Sequence, residues 1–262
     1  MEHVLWIGGP PASGKTTIAT RLARRHGLRI YGADTRTWAH RDRALARGIP
    51  AAIRWEALTP AQRALSTPQQ ALELSLHRER GPMVVEDLLA LPQAPLVLAE
   101  GSTLPAAAVP DRSRAVWLIP TAEFQQARLE ERRLSAGARR LFLLLAETIE
   151  REAREHHVPI VAVDGARGID ELVEAVEQRF AAALAAGPSA ETLAERRALL
   201  REANEAVVAQ VRGYFARPWA EGDAEQVVRT FVCECGDRRC ESSVEVAVAV
   251  AAAAPVVTPA HA

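Results

Sequence analysis

The chain has 262 residues, of which 48% are hydrophobic and 25% charged, which predicts a globular protein with one large domain or a medium one with an appendage. Its formal net charge of -1 excludes the basic excess that would favour a nucleic acid or an anionic membrane surface as partner. The longest near-apolar stretch, residues 246–257, is too short to span a membrane, and a strand-like run beginning at His3 leaves no room for a signal peptide, so we expect a cytoplasmic protein.

Predicted strands and helices alternate through the first two thirds of the chain. Short apolar runs predict strands at residues 3–7, 28–31, 96–99, 115–119 and 160–163. Helical patterns cover residues 14–26, 121–133, 141–155 and the stretch after residue 165, with a helix or ordered loop at 35–47 and two or three helices between residues 60 and 91. Thr59-Pro60 and Thr67-Pro68 each pair a capping hydroxyl with proline at the first helical position. The alternation indicates an α/β fold with a parallel sheet of about five strands, covered by helices on both faces.

A domain boundary is predicted where an alanine-rich stretch ends in Gly187-Pro188-Ser189. We therefore divide the chain into a first domain at residues 1–182, a linker at 183–189 and a C-terminal segment at 190–262. A polar helix to about residue 215, a strand at 227–232 and an alanine- and valine-rich tail make this segment a small α+β unit.

The turn between the first strand and its helix fits the pattern glycine, four residues, glycine, lysine, then serine or threonine. The match consists of Gly9, Pro10, Pro11, Ala12, Ser13, Gly14, Lys15 and Thr16. In such a loop the backbone N–H groups and the positive helix end bind phosphates, the lysine neutralises the β and γ oxygens, and the hydroxyl ligates magnesium. Thr17 is placed to contact the α-phosphate. Lys15 is the only lysine in the sequence, at a point where a compact ammonium suits the phosphates better than a guanidinium.

The loop identifies the chain as similar to the P-loop nucleoside triphosphatase superfamily of ATP-binding proteins. Guanine-specific GTPases need a second lysine in their base-recognition segment, which this sequence does not have. Residues 1 to 182 instead resemble the small-molecule and nucleoside monophosphate kinases. The resemblance implies a three-layer αβα sandwich, ATP and Mg²⁺ as ligands, and a small-molecule phosphoryl acceptor.

In that kinase group an acidic residue just after the second strand engages the acceptor hydroxyl, and Asp34 stands in this place. Arg36, His40, Arg41 and Arg43 follow at spacings that suit an acceptor site, and Arg36 is the one that we expect at the acceptor. A capping role for Asp34 remains the structural alternative. Glu100 and Gly101 end the third strand, where such kinases contact magnesium-bound water or the acceptor. Asp164 competes with Glu100 for the magnesium-associated role.

Two further features are implied by the same resemblance. The loop containing Asp164 and Gly165 corresponds to the one beside the adenine, so Gly165 is expected to contact the nucleotide. Arg128, Arg132 and Arg133 lie on a helix where the group carries lid arginines that stabilise the moving phosphoryl. Arg132 is the predicted catalytic arginine and Arg128 a nucleotide contact; an exposed helix of paired charges is the alternative.

Three cysteines, Cys233, Cys235 and Cys240, occur in a Cys-x-Cys-x4-Cys spacing that resembles a C-terminal segment of actinobacterial proteins of unknown function. These thiols are candidate zinc ligands, with His261 as the fourth, and reduced cysteines in a strand and turn are the alternative. The segment is also a candidate contact for a protein partner.

The leading hypothesis is an ATP- and magnesium-dependent small-molecule kinase in which Lys15, Asp34 and Arg132 act on the transferring group. An alternative is a nucleotide-binding regulator without an acceptor. A third hypothesis assigns the activity to residues 190–262 and a scaffold role to the rest.

Overall fold

The computed structural model describes residues 1–132 and 134–261, so the predicted lid residue Arg133 lies outside the described residues. Within them, a five-stranded, wholly parallel sheet has the order β2-β3-β1-β4-β5. Its strands are β1 (Val4–Gly8), β2 (Arg29–Gly32), β3 (Val97–Gly101), β4 (Ala115–Pro120) and β5 (Ile160–Val163). The predicted α/β class and parallel sheet are confirmed.

Helices cover both faces of the sheet, because successive side chains of a strand point to opposite sides. Leu5 and Ile7 pack in a core with α1 (Lys15–His26) and α9 (Ile169–Ala186). Val4 and Trp6 pack in a second core with α6 (His77–Ala90) and α8 (Ala136–Glu155). Burial on both faces explains why the strands are apolar runs rather than alternating ones. The layering is compatible with a three-layer sandwich.

Helices between β2 and β3 build one side of the molecule. They are α2 (Thr37–Ala46), α3 (Pro50–Ala57), α4 (Pro60–Ala64), α5 (Pro68–Leu74) and then α6. Both predicted threonine caps are present: Thr59 and Thr67 accept hydrogen bonds from the amides of Gln62 and Gln70 and form complete capping boxes. Helix α3 was not predicted.

Several predicted boundaries shift by a few residues. Strand β3 extends to Gly101, so Glu100 and Gly101 belong to the strand instead of following it. After β4, Thr121 caps α7 (Ala122–Glu131). Helix α8 begins at Ala136 rather than at residue 141, because the Ser135 hydroxyl accepts a hydrogen bond from the Ala138 amide.

The C-terminal segment packs against the rest of the chain. Helix α9 continues to Ala186, so residues 183 to 186 of the predicted linker are helical. The following α10 (Leu193–Phe215) contacts the edge strand β2, where Arg29 pairs with Glu202 at 3.0 Å. A two-stranded antiparallel sheet of β6 (Val228–Val232) and β7 (Ser243–Ala247) precedes α11 (Val248–Ala253). Among the described residues no helix is both long and apolar enough to cross a membrane.

Candidate functional site

The glycine-rich turn at residues 9–14 joins β1 to α1. Gly9 has a φ of +146°, and a Cβ atom placed on it would lie 2.4 Å from the Leu118 carbonyl oxygen, so a larger residue does not fit. Gly14 caps α1 at a φ of 83° in the left-handed region. The strand, turn and helix thus occur in the predicted order, with the free amides of the first helical turn beside the loop.

Lys15 and Thr16, the first residues of α1, both face carboxylates. Lys15 is only 6% exposed, and its Nζ lies 3.6 Å from Asp34 Oδ2 and donates to the Pro10 carbonyl oxygen at 3.5 Å. Thr16 Oγ1 donates to Glu100 Oε2 at 3.0 Å. The residues predicted separately for phosphate, magnesium and acceptor therefore form one contiguous polar group.

Sheet topology brings the two carboxylates together. Glu100 of β3 pairs in register with Gly32 of β2 on one side and with Ile7 of β1 on the other. Asp34 follows β2 directly, in a 3-10 turn, and its Oδ1 accepts hydrogen bonds from the Ser102 amide at 3.3 Å and hydroxyl at 2.8 Å. Both acids thus lie at the carboxyl edge of the parallel sheet, where ligands of such sheets bind.

Burial and neighbouring charges move the pKa values of these acids in opposite directions. Burial raises the pKa of Glu100 to about 7; the Asp34 charge adds to this effect, and Lys15 and Thr16 oppose it. Burial also acts to raise the pKa of Asp34, but Lys15, Arg80 and Ser102 together hold it below its ordinary value. Asp34 is therefore ionised at neutral pH, whereas Glu100 titrates near neutrality.

A cavity of about 480 Å³ opens beside this group. Basic side chains are prominent in its wall, namely Lys15, Arg41, His77, Arg80 and Arg132. Asp34 is the acidic residue in the wall, and 42% of its side chain is exposed. The cavity therefore presents one carboxylate, which is paired with Lys15, among several positively charged side chains.

Arg41 on α2 has unused hydrogen-bonding capacity. It is 4% exposed, and its Nη2 donates to the Leu74 carbonyl oxygen at 2.8 Å, whereas Nε and Nη1 have no partner among the described residues. Its guanidinium lies 4.0 Å from the centre of the Trp55 ring. Burial lowers its pKa to about 10, which leaves it charged at neutral pH. A buried cation with unpaired donors at a cavity wall favours an anionic ligand.

Of the remaining predicted residues, Thr17 and Arg132 line the cavity. Arg36 does not line it; its guanidinium lies 6.0 Å from the centre of the Tyr31 ring. Because Arg36 precedes α2, the helix presents Arg41 to the cavity instead. Gly101 lies against the turn that holds Asp34, since a Cβ atom on it would be 2.7 Å from Ala33 Cβ.

Arg128, Gly165 and Asp164 lie away from the cavity wall. Arg128 is exposed on α7 and pairs with Glu131 at 2.7 Å, which is the structural alternative considered for it. Gly165 lies in the exposed turn after β5, against Phe124. Asp164 accepts a hydrogen bond from the Ala166 amide in the same turn. It is therefore Glu100, and not Asp164, that meets Thr16.

Several polar residues near the loop were not predicted, Ser102 among them. Arg80 and His77 reach the cavity from α6, and Gln125 Nε2 of α7 donates to the Pro11 carbonyl oxygen at 3.2 Å. Arg80 Nη2 donates to the Ala33 carbonyl oxygen at 2.5 Å and so supports the turn that carries Asp34. The sequence signal that could have found the three helical residues is a polar residue on the buried side of a helix. This signal does not show which distant segment the residue contacts.

The cysteine cluster forms a second group of functional side chains. The sulfur atoms of Cys233, Cys235 and Cys240 and a ring nitrogen of His261 all lie within 4.8 Å of one another. The three thiols are buried, and His261 is exposed. Together they could bind a metal ion such as zinc.

No protein-family model matches the chain, and a search of the curated proteins found no match. The chemistry assigned to the site therefore rests on its geometry.

Proposed function

We propose that the chain is an ATP- and Mg²⁺-dependent phosphotransferase of the P-loop small-molecule kinase type, transferring the γ-phosphoryl group to a hydroxyl or phosphate of a small molecule. The observation that carries the proposal is the meeting of Lys15 and Thr16 with Asp34 and Glu100 at one edge of the sheet. Each of these residue types has a distinct task in phosphoryl transfer. They come from α1, the turn after β2 and strand β3, and a capping role for any one of them does not require the four to meet.

The loop and Lys15 are assigned to the triphosphate. Amides of the turn and the N terminus of α1 bind its oxygens, and the buried Lys15 ammonium supplies a localised positive charge. In this assignment Lys15 exchanges its contact with Asp34 for phosphate oxygens, which frees the Asp34 carboxylate.

Thr16 and Glu100 are the residues that would hold magnesium. A hydroxyl and a carboxylate are hard oxygen donors of the kind that Mg²⁺ prefers, and they already touch at 3.0 Å. The ion would supply charge neutralisation on the phosphate oxygens. Glu100 would lose its proton more readily with a cation beside it, because a nearby positive charge lowers its pKa from about 7.

Asp34 is assigned to the acceptor. Its Oδ1 is held by two hydrogen bonds from Ser102, which fixes the orientation of the carboxylate. Oδ2 then accepts a hydrogen bond from the acceptor hydroxyl and takes its proton as the phosphoryl group moves. The ionised state that neighbouring charges impose on Asp34 is the state this role requires.

The cavity wall favours an acceptor that carries a negative charge of its own. Arg41 has two donor nitrogens without a partner within residues 1–132 and 134–261, and Arg80 and His77 lie in the same wall. Arg132 is placed at the wall from the end of α7, where it can stabilise charge on the transferring group. A hydroxyl compound bearing a carboxylate or phosphate fits this lining better than a neutral one.

ADP release by the purified full-length protein across a panel of hydroxyl compounds tests the proposal. The panel contains matched neutral and anionic members, such as a sugar, its sugar acid and its phosphate ester. We expect acceptor-dependent ADP release, strongest with an anionic member and lost in Lys15→Ala. Release that no acceptor stimulates would contradict the kinase assignment.

A nucleotide-dependent regulator is the second candidate function. The observation that favours it is the contact between α1 and the cysteine segment: Arg24 donates to the carbonyl oxygens of Cys233 and Cys240 at 2.7 and 3.0 Å. A nucleotide bound at the start of α1 would thus contact the same helix that the C-terminal segment contacts. Slow, acceptor-independent hydrolysis, together with a partner affinity that differs between ATP and ADP, would favour this function.

A further inference from the structure

The four side chains of the cysteine cluster have the spacing of a tetrahedral metal centre. Cys233 Sγ and His261 Nδ1 are 3.7 Å apart, and all four ligand atoms lie within 4.8 Å of one another. With Zn–S bonds of about 2.3 Å and Zn–N bonds of about 2.1 Å, neighbouring ligand atoms in a tetrahedron are about 3.6–3.8 Å apart. The cluster therefore needs only small adjustments to close around one ion.

We propose that Cys233, Cys235, Cys240 and His261 bind one Zn²⁺ in a closed structural centre. The three thiols lie together around a single point. This arrangement is typical of a metal site, whereas a disulfide would join two of the cysteines and leave the third apart. Soft sulfur donors with one imidazole select zinc over magnesium or calcium. Four protein ligands leave no open position for a substrate, so the role is structural and not catalytic.

Hydrogen bonds around the cluster hold its ligands in place. The Thr258 amide donates to Cys233 Sγ at 3.5 Å, a contact that orients this ligand. Arginines fix the backbone of all three cysteines: Arg24 donates to the carbonyl oxygens of Cys233 and Cys240, and Arg197 donates to that of Cys235 at 3.0 Å. Arg24 of α1 is 4% exposed, so its guanidinium is buried against the turn that it binds.

The proposed centre connects parts of the chain that are distant in sequence. The ion would join the turn after β6 to the 3-10 turn Pro259–His261, and Arg24 would connect both to the helix that begins at Lys15. A small segment with a limited apolar core of its own gains stability from such a link, because zinc binding free energy is then folding free energy. Removal of the metal is expected to loosen the C-terminal segment first.

Metal analysis of the full-length protein, purified under reducing conditions, tests the proposal. We expect one equivalent of zinc per chain, and in the Co²⁺-substituted protein the absorption bands of a tetrahedral thiolate site. Cys235→Ser should lose stoichiometric zinc, and His261→Ala should weaken zinc binding at least about 10-fold. His157→Asn, which removes an exposed histidine elsewhere, should change neither. Circular dichroism establishes that each variant is folded.

A folded wild-type protein that retains no zinc, shows no cobalt spectrum and keeps three titratable thiols would overturn the proposal, as would a disulfide among the cysteines in the reduced preparation. The role of Arg24 has its own test. Arg24→Met should weaken zinc binding by about 10–100-fold as the loss of an outer-sphere contact, whereas Arg25→Met, at an exposed neighbour, should not. Equal zinc affinities in the two variants would contradict that role. Zinc content is measured without ATP, and ATP binding is measured by its own assay, so each proposal can fail alone.

Discussion

Replacement of Glu100 by glutamine tests the electrostatics of the site in the absence of any ligand. Burial, reinforced by the charge of Asp34, raises the pKa of Glu100 from an ordinary value of 4.5 to about 7. As the pH rises above 4.5, the carboxyl ionises in the unfolded chain but stays protonated in the folded one. The stability that the protonated carboxyl contributes is therefore present at low pH and lost as the pH approaches 7. Glutamine keeps the shape but does not ionise.

The shift from 4.5 to about 7 corresponds to about 3 kcal/mol at roughly 1.4 kcal/mol per pH unit. We expect Glu100→Gln to exceed the wild type in free energy of unfolding by about 3 kcal/mol at pH 8 and by about 1 kcal/mol at pH 5.5. The same variant should lose stabilisation by ATP and Mg²⁺, because the amide is a poor substitute for a carboxylate at the ion.

Urea unfolding of both proteins at the two pH values, without nucleotide or divalent metal, measures the difference. Glu221→Gln provides the matched control at an exposed glutamate and should stay within about 0.5 kcal/mol of the wild type at either pH. A stability difference between Glu100→Gln and wild type that does not widen with pH would refute the buried, proton-exchanging carboxyl. So would a variant less stable than wild type at pH 8.

Three further variants separate chemistry from structure. Asp34→Asn should lower the turnover number at least about 100-fold, because an amide does not take the acceptor proton. Calorimetry should find an ATP affinity within a few-fold of that of the wild type. A parallel loss of turnover and ATP affinity would contradict the role of Asp34 at the acceptor. Arg132→Ala should slow transfer about 1000-fold in ADP-release assays, whereas Arg140→Ala, exposed on α8, should not; equal rates would remove Arg132 from the site. Gly101→Ala should lower the free energy of unfolding in urea by more than about 2 kcal/mol, because its Cβ would lie 2.7 Å from Ala33 Cβ. Gly48→Ala has no atom within 4 Å of its Cβ and should lower it by about 1 kcal/mol, because Gly48 has a positive φ. Equal costs would contradict the close packing at the end of β3.

Local patterns in the sequence were sufficient to predict the glycine-rich turn between β1 and α1 and the strands around it. The loop geometry depends on consecutive residues, and a strand buried on both faces is an uninterrupted apolar run. The positions of Asp34 and Glu100 could also be predicted, because each follows or ends such a run. The carboxyl ends of parallel strands share one edge, which brings the two acids together.

Contacts between distant segments could not be predicted in this way. Arg36 and Arg41 both follow β2, and only the start of α2 at Thr37 decides that Arg41 reaches the cavity. Arg80 of α6 donates to the turn that carries Asp34, and no pattern in the sequence indicates that α6 packs against this turn. The contact of Arg24 with the cysteine turn likewise joins residues more than 200 positions apart.

Isothermal titration calorimetry of ATP into the full-length protein with Mg²⁺ tests the proposed nucleotide site most directly. We expect saturable binding that is lost in Lys15→Ala, whose folding is checked by circular dichroism, because the loop then lacks its only ammonium. Folded wild-type protein that gives no heat of association with ATP or GTP, or Lys15→Ala protein that binds ATP as tightly as the wild type, would contradict the assignment.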